Sequence, residues 1–315
     1  GAANYAEVRS QPGLARRDFG IAIRNNLYYV LFVVPIQTAV ALFLAVQVNQ
    51  KVLKARGFFR TAFYFPSVTS SVAITVVFLY LFGASGVVNG VLNWLRVRGP
   101  NWFADPRGVF HIVLSWLGVD SVPSFLAGEG PLGVTWWEWI AGPSVAMTAL
   151  IALAVFTTSG TFMLLFLAGL QAIGQDIEEA ALVDGAGPVR KFFSITLPML
   201  KPTLFTVLTL GLIATWQVFD QIYLTGGGAP AKTTLTPAFL AYSASFESLK
   251  WGRGAAISFI LFGIIVVLTI FQRWLLRDRQ GSRRNRRRRA RMAQAGAMAA
   301  ITTGGGHGTG GGAGE

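Results

Sequence analysis

Residues 175–202 read QDIEEAALVDGAGPVRKFFSITLPMLKP and lie between two apolar runs, residues 145–169 and 203–224. Asp176 and Glu179 have the spacing of a capping box, which starts a helix with Ala180 and Ala181 one turn on. Gly185, Gly187 and Pro188 end that helix. A second short apolar helix, from Val189 to Ile195, then runs into Leu197 and Pro198. The stretch predicts helix, elbow, helix, lying beneath a membrane, because each flanking run approaches the ~20 apolar residues that a bilayer core requires.

Outward from this loop, three more runs come close to that length: residues 25–48, 64–83 and 254–274. Lipid cannot satisfy backbone polar groups, so all five segments should be helices. The chain has 315 residues, of which 53% are hydrophobic and only 13% charged, against roughly 25% charged in an average soluble domain. The predicted fold class is therefore an all-α integral membrane protein, a single bundle of five spans within residues 25–280.

Basic residues set the orientation. The 49–63 loop carries Lys51, Lys54, Arg56 and Arg60, and the 170–202 loop carries Arg190, Lys191 and Lys201. Ten of the 27 basic residues lie between Arg273 and Arg291. These stretches and the C-terminus are predicted to be cytoplasmic. The formal charge of +13 is then a cluster at the membrane surface, not a nucleic-acid groove. Residues 1–24 fall outside as a segment before the first span; they carry four arginines and no signal-peptide pattern. A span preceding Gly1 would remove that anomaly and bring the total to six. Residues 281–315, rich in Arg and Gly, read as a disordered cytoplasmic tail.

The external loop 84–144 holds Trp94, Trp102, Trp116, Trp136, Trp137 and Trp139, and an apolar run from Val109 to Val119. Two readings stand: tryptophans anchoring at the outer interface beside a short interfacial helix, or a platform that touches an external protein or closes over a pore.

Cysteine is absent, which excludes thiolate metal sites and cysteine nucleophiles. His111 and His307 stand far apart without ligand-like spacing, so no metal site is expected. No G-x-x-x-x-G-K-[ST] sequence is present, and no span or loop gathers an acid, a base and a nucleophile. The chain reads as non-catalytic.

In the internal loop, the small residues Ala180, Ala181 and Gly185 would let another protein approach the backbone, with Glu179 as a fixed charge for docking. The series Glu179, Ala180, Ala181, Gly185, Ile195, Leu197, Pro198 resembles the EAA coupling loop of permease subunits in binding-protein-dependent ABC importers. The resemblance runs on to the sugar-transporting branch, that of maltose and glycerol-phosphate permeases, through NQKVLKARGFFRTAFYFPSVTSSVA (49–73), FDQIYLTGGGAP (219–230) and WGRGAAISFI (251–260). Gln175 replaces a common proline, and GGGAP stands where GGP is usual. The resemblance implies a permease in the cell membrane that carries a di- or oligosaccharide. It implies as partners a second related permease, two ATPase subunits that hold ATP and Mg, and an external solute-binding protein. The same class carrying glycerol phosphate or another polar solute is the alternative. An ion-driven secondary transporter is the rival class, for which Asp220 is the only acid within the predicted spans.

The family's substrate path is expected between the spans flanking the loop. Polar residues are costly in lipid and face bundle interiors. Thr157, Thr158 and Thr161 fall on one side of the third predicted span. In the fourth, Gln217, Asp220 and Gln221 share a face beside an aromatic stripe of Trp216, Phe219 and Tyr223. Thr158, Thr161, Thr215, Gln217 and Asp220 are the candidate substrate-path residues.

Overall fold

The computed structural model describes residues 1–50, 54–119 and 121–275. Among them the only strand-like pairings are isolated bridges, Gly108 with Ser144 and Glu129 with Thr135. The predicted tail, 281–315, lies outside the described residues. One compact unit covers Gly1–Ile270, and a second begins at Phe271, where Phe271 stacks with Trp274 at the end of the last helix.

The chain begins with α1 (Ala2–Arg9) and α2 (Leu14–Asn49), continues through α3 (Arg56–Val68) and α4 (Ser71–Leu81), and then forms the short helices α5 (Val87–Trp94), α6 (Val109–Trp116) and α7 (Trp136–Ile140). α8 (Val145–Gln171) follows. The internal loop contains α9 (Gln175–Val183), α10 (Pro188–Lys191) and α11 (Leu197–Met199). The rest is α12 (Lys201–Trp216), α13 (Asp220–Leu224), α14 (Pro237–Tyr242) and α15 (Trp251–Leu275). α2, α8, α15 and the α12–α13 pair are each long and apolar enough to cross a membrane, and α3 with α4, bent by 97°, make a fifth if the pair is one span.

Three expectations change. The predicted first span, 25–48, is the inner part of a longer helix: α2 has 36 residues, or about 54 Å at 1.5 Å per residue, against ~30 Å of hydrocarbon. Its surplus lifts Arg16, Arg17, Asp18 and Arg24 beyond the apolar run. The second predicted span, 64–83, is a broken one. Pro66 lacks an N–H for the helix, and Thr69 and Ser70 adopt extended backbone before α4 starts. The fourth, 203–224, breaks between Trp216 and Asp220.

α2 and α8 form the spine of the bundle. Near one end Ala22, Tyr29 and Val33 pack with Met147, Leu150 and Leu153. Near the other, Ala41, Ala45 and Val48 meet Phe162, Met163, Phe166 and Leu170, with Leu200 and Val207 closing the cluster. Lipid tails are as apolar as these side chains, so close packing and interhelical hydrogen bonds hold such helices together. Gly160 allows this for α3: a Cβ there would stand 2.3 Å from the Phe63 carbonyl oxygen.

Candidate functional site

Where α12 gives way to α13, residues 217–219 leave the helical path, and a cavity of about 240 Å³ opens between α2, α8 and this junction. Tyr29 and Gln37 from α2, Thr157 and Thr158 from α8, and Thr215, Gln217, Asp220 and Gln221 from the junction line it. The Ser71 hydroxyl donates to Asp220 Oδ2 at 2.8 Å, so the start of α4 is tied to the α12–α13 break.

Hydrogen bonding separates occupied from available groups. The hydroxyl of Thr157 donates to Leu153 O at 3.0 Å and that of Thr215 to Gly211 O at 2.7 Å, both within their own helices. Thr158 Oγ1 lies 2.7 Å from Ala154 O and 2.6 Å from Gln37 Oε1. A hydroxyl has one proton to give. Whichever way the Gln37 amide is turned, one of its polar atoms keeps no partner. Gln37 is 1% exposed, and an unsatisfied buried group costs about 1–3 kcal/mol. Gly211 makes room for it, since a Cβ there would stand 2.5 Å from Gln37 Nε2.

Of the predicted substrate-path residues, Thr158, Thr215, Gln217 and Asp220 come together on the cavity wall. Thr161 does not join them. Its backbone N–H donates to Ser67 Oγ at 3.2 Å, while Ser67 donates to Thr157 O at 2.6 Å, so this part of α8 is pinned to α3. Trp216 leaves the predicted stripe and is buried with Val30, Val34, Leu261 and Ile265. Phe219 and Tyr223 do stack, at 5.7 Å, with Tyr242 set edge-on to both. Tyr29, Gln37 and Ser71 were missed because they come from distant segments. Gln37 beside Thr38 was a usable signal, a polar pair within an apolar run.

A larger cavity of about 560 Å³ lies between α2, α3 and α8. Its wall is apolar, and its hydroxyls, Thr148 and Ser159, donate to their own helix. It offers a polar solute nothing.

The internal loop forms the predicted helix, elbow and helix. Gly185 at φ 69° takes the left-handed conformation after α9, and Ala186 N–H donates to Ala181 O at 3.0 Å. Gly187 is the extended N-cap before Pro188 at the first position of α10. The helix widens into a π-turn over Phe192–Thr196, next to Pro198, which can supply no N–H to the turn behind it. Glu179, Gly185 and Pro198 are exposed and Ile195 and Leu197 half-buried. Ala181 corrects the expectation: at 3% exposed it faces its own chain rather than an incoming surface. The side chain of Ala180 lies outside the described residues. Val183, Val189 and Phe193 are 88%, 69% and 62% exposed.

At the opposite end of α2, polar contacts bind the 128–140 and 226–236 loops. Arg24 donates to Glu138 O at 3.2 Å and to Asn25 Oδ1 at 2.8 Å, and Asn25 donates to Lys232 O and Leu235 O. Arg17 pairs with Glu138 and Lys232 with Asp18. Burial alone would raise the Glu138 pKa; the N–H and hydroxyl of Thr135, with Arg17 and Arg24, outweigh it and hold the carboxyl below its usual range.

Fold and site together define a polytopic helical membrane protein with a polar cavity inside the bundle and a two-helix loop projecting from one end. The chain belongs to the family of binding-protein-dependent transport system inner membrane components, whose model matches residues 37–280. It is 30% identical to the lactose transport system permease protein LacF of Rhizobium radiobacter, over 83% of this chain and 77% of that protein. It is 31% identical to the trehalose/maltose transport system permease protein MalF of Thermococcus litoralis, over 86% and 77%. The solved structure of a bacterial ABC transporter involved in the import of the acidic polysaccharide alginate shares the fold. The TM-score is 0.65 at 19% identity, over 89% of this chain and 88% of that one.

Proposed function

We propose that this chain is the membrane-spanning permease of an ATP-driven importer that passes a di- or oligosaccharide, received from an external binding protein, through the α2–α8–α12 cavity. The observation that carries the reading is the internal loop: two short helices with Val183, Val189 and Phe193 turned outward beside the exposed Glu179. Exposed apolar side chains mark a contact with protein or membrane, and the charge of Glu179 beside them supports a protein as the partner. The loop continues into α8 and α12, both of which line the cavity, so a push on it reaches the solute path. The partners are two ATPase subunits, which hold ATP and Mg, and a second related permease. The chain itself catalyses nothing. In this orientation the loop and the C-terminus are cytoplasmic.

Sugar as the cargo is supported by the relatives' names and by the cavity, where hydroxyl and amide groups stand beside the rings of Tyr29 and Phe219. A pyranose needs both, partners for its hydroxyls and a flat face for its C–H surface. The experiment is purification of the assembled complex through this chain, with ATPase activity followed across lactose, maltose, trehalose and arabino-oligosaccharides in the presence of the binding protein. Stimulation by one of them is expected. A purified complex that contains no ATPase subunit overturns the reading.

A further inference from the structure

The long loop contains one structural unit twice. Gly86-Val87-Val88-Asn89-Gly90-Val91-Leu92-Asn93-Trp94-Leu95-Arg96-Val97 and Gly108-Val109-Phe110-His111-Ile112-Val113-Leu114-Ser115-Trp116-Leu117-Gly118-Val119 agree in the pattern G-V-x-x-x-V-L-x-W-L-x-V. The structures agree as well. Gly86 and Gly108 are the N-caps of α5 and α6, each eight residues long and each ending on its tryptophan. Both helices stop the same way: Arg96 and Gly118 take positive φ, 60° and 85°, and Val97 and Val119 N–H donate back to Leu92 and Leu114 carbonyls at 2.8 and 3.0 Å. This is the closure in which a left-handed residue ends a helix and its successor reaches back five residues.

The third helical position anchors each copy. Asn89, 5% exposed, accepts from Trp102 Nε1 at 2.9 Å and donates to Ala84 O and Pro100 O. Its counterpart His111 stacks on the Trp137 ring at 4.1 Å and contacts Trp137 O through Nε2 at 3.1 Å. With the polar side secured, both copies turn the same residues outward. Trp94 and Trp116 are each 82% exposed, and Val91, Leu95, Val113 and Leu117 are exposed beside them.

We propose that α5 and α6 are a duplicated membrane-interface anchor whose Trp-Leu tips sit among the headgroups and upper acyl chains of the outer leaflet. Three observations select lipid as the occupant. Each copy is seated at the end of a crossing helix. Asn89 bonds to the turn that leaves α4, while Val109 N–H donates to Pro143 O and Val145 N–H to Arg107 O, which straps α6 to the first turn of α8. Neither helix contains a charged side chain, and the charges beside the first tip, Arg96 and Arg98, are basic and complement anionic headgroups. Repetition argues the same way: one surface used at two places suits a medium that is alike everywhere better than a protein epitope. Tryptophan beside leucine is the composition that binds the boundary layer. A crossing broken at Thr69 and Ser70 would gain from such a fixed point at its end.

The chain has no cysteine, so single substitutions report one site each. Leu95→Cys and Leu117→Cys would carry nitroxide labels in the full chain, reconstituted in vesicles of phosphatidylcholine with phosphatidylglycerol. Gln11→Cys, exposed in the turn between α1 and α2, serves as the aqueous reference. Expected is several-fold greater protection from a water-soluble nickel relaxant at both tips than at the reference, with ready access to oxygen. Native fluorescence gives a second reading on variants that keep a ring: Trp94→Phe and Trp116→Phe should each remove emission that dibrominated phosphatidylcholine quenches. Labels as open to nickel as the reference overturn the proposal. So do labels that become shielded only when the soluble binding protein is added, which would assign the surface to a protein partner.

Discussion

The two ends of the bundle are finished in different ways. At the long-loop end, polar groups of α2 are spent inside the chain: Arg24 and Asn25 bond to loop carbonyls, Arg17 pairs with Glu138, Lys232 with Asp18 and Arg253 with Glu7. At the other end, the loop from α9 to α11 is shaped by its own backbone, through the Gly185 turn and the N-terminal proline of α10, and leaves Val183, Val189 and Phe193 uncovered. At one end the polar groups are paired within the chain. The other leaves an apolar surface uncovered, and this is the surface that the proposed function gives to a partner. The cavity lies between them, with Gln37 keeping an unpaired amide atom in a buried place.

The contrast can be broken most sharply at the loop. Glu179→Lys is expected to lower uptake by more than about tenfold, a coupling loss of at least ~1.4 kcal/mol, while membrane insertion stays normal. Uptake and membrane level measured in parallel check this, and normal uptake would remove the loop from the coupling role. Next in size is Gly160→Val, which pushes a side chain into the Phe63 carbonyl. It should destabilise the α3–α8 contact by about 1–3 kcal/mol, read as a lower melting temperature in detergent.

Arg24→Ala should cost a similar or smaller amount, about 1–3 kcal/mol, because Asn25 and the Glu138 carbonyl lose their shared donor. The loss should show as faster proteolysis of the 128–140 loop, with the 175–200 loop unchanged. Gln37→Leu should raise stability slightly, by up to ~1 kcal/mol, since it removes an orphaned polar atom, yet uptake should fall. Stability and transport moving in opposite directions would place Gln37 on the solute path. A parallel fall would make it structural.

The smallest effect is on pH dependence. The Glu138 carboxyl is held low in the folded chain, so its stabilisation is complete above the ordinary glutamate value of about 4.3. It is lost as pH falls through the depressed folded value. Glu138→Gln should flatten the melting temperature against pH in that window.

The crossings and the internal loop were legible because their signals are local. An apolar run of crossing length has few alternatives in lipid, and glycine and proline at 185, 187 and 188 act on their own turn. Other features were written in the sequence but in two distant places. The repeat shared by 86–97 and 108–119 becomes evident only when both copies show the same helix and the same reverse bond. The face predicted for Gln217, Asp220 and Gln221 assumed an unbroken helix. The structure breaks it and still brings all three to the cavity.

From its sequence alone this chain was settled as a helical membrane protein with a helix-elbow-helix loop, since burial in lipid and turn chemistry act residue by residue. Tertiary structure decided which polar residues meet. Gln37 reaches Thr158 and Ser71 reaches Asp220 across 121 and 149 positions, while Thr161, one turn from Thr158, is exposed and outside the cavity wall. Helix periodicity places a side chain on a face; only the packing of helices, at contacts as close as Gly160 and Gly211 permit, decides what that face meets.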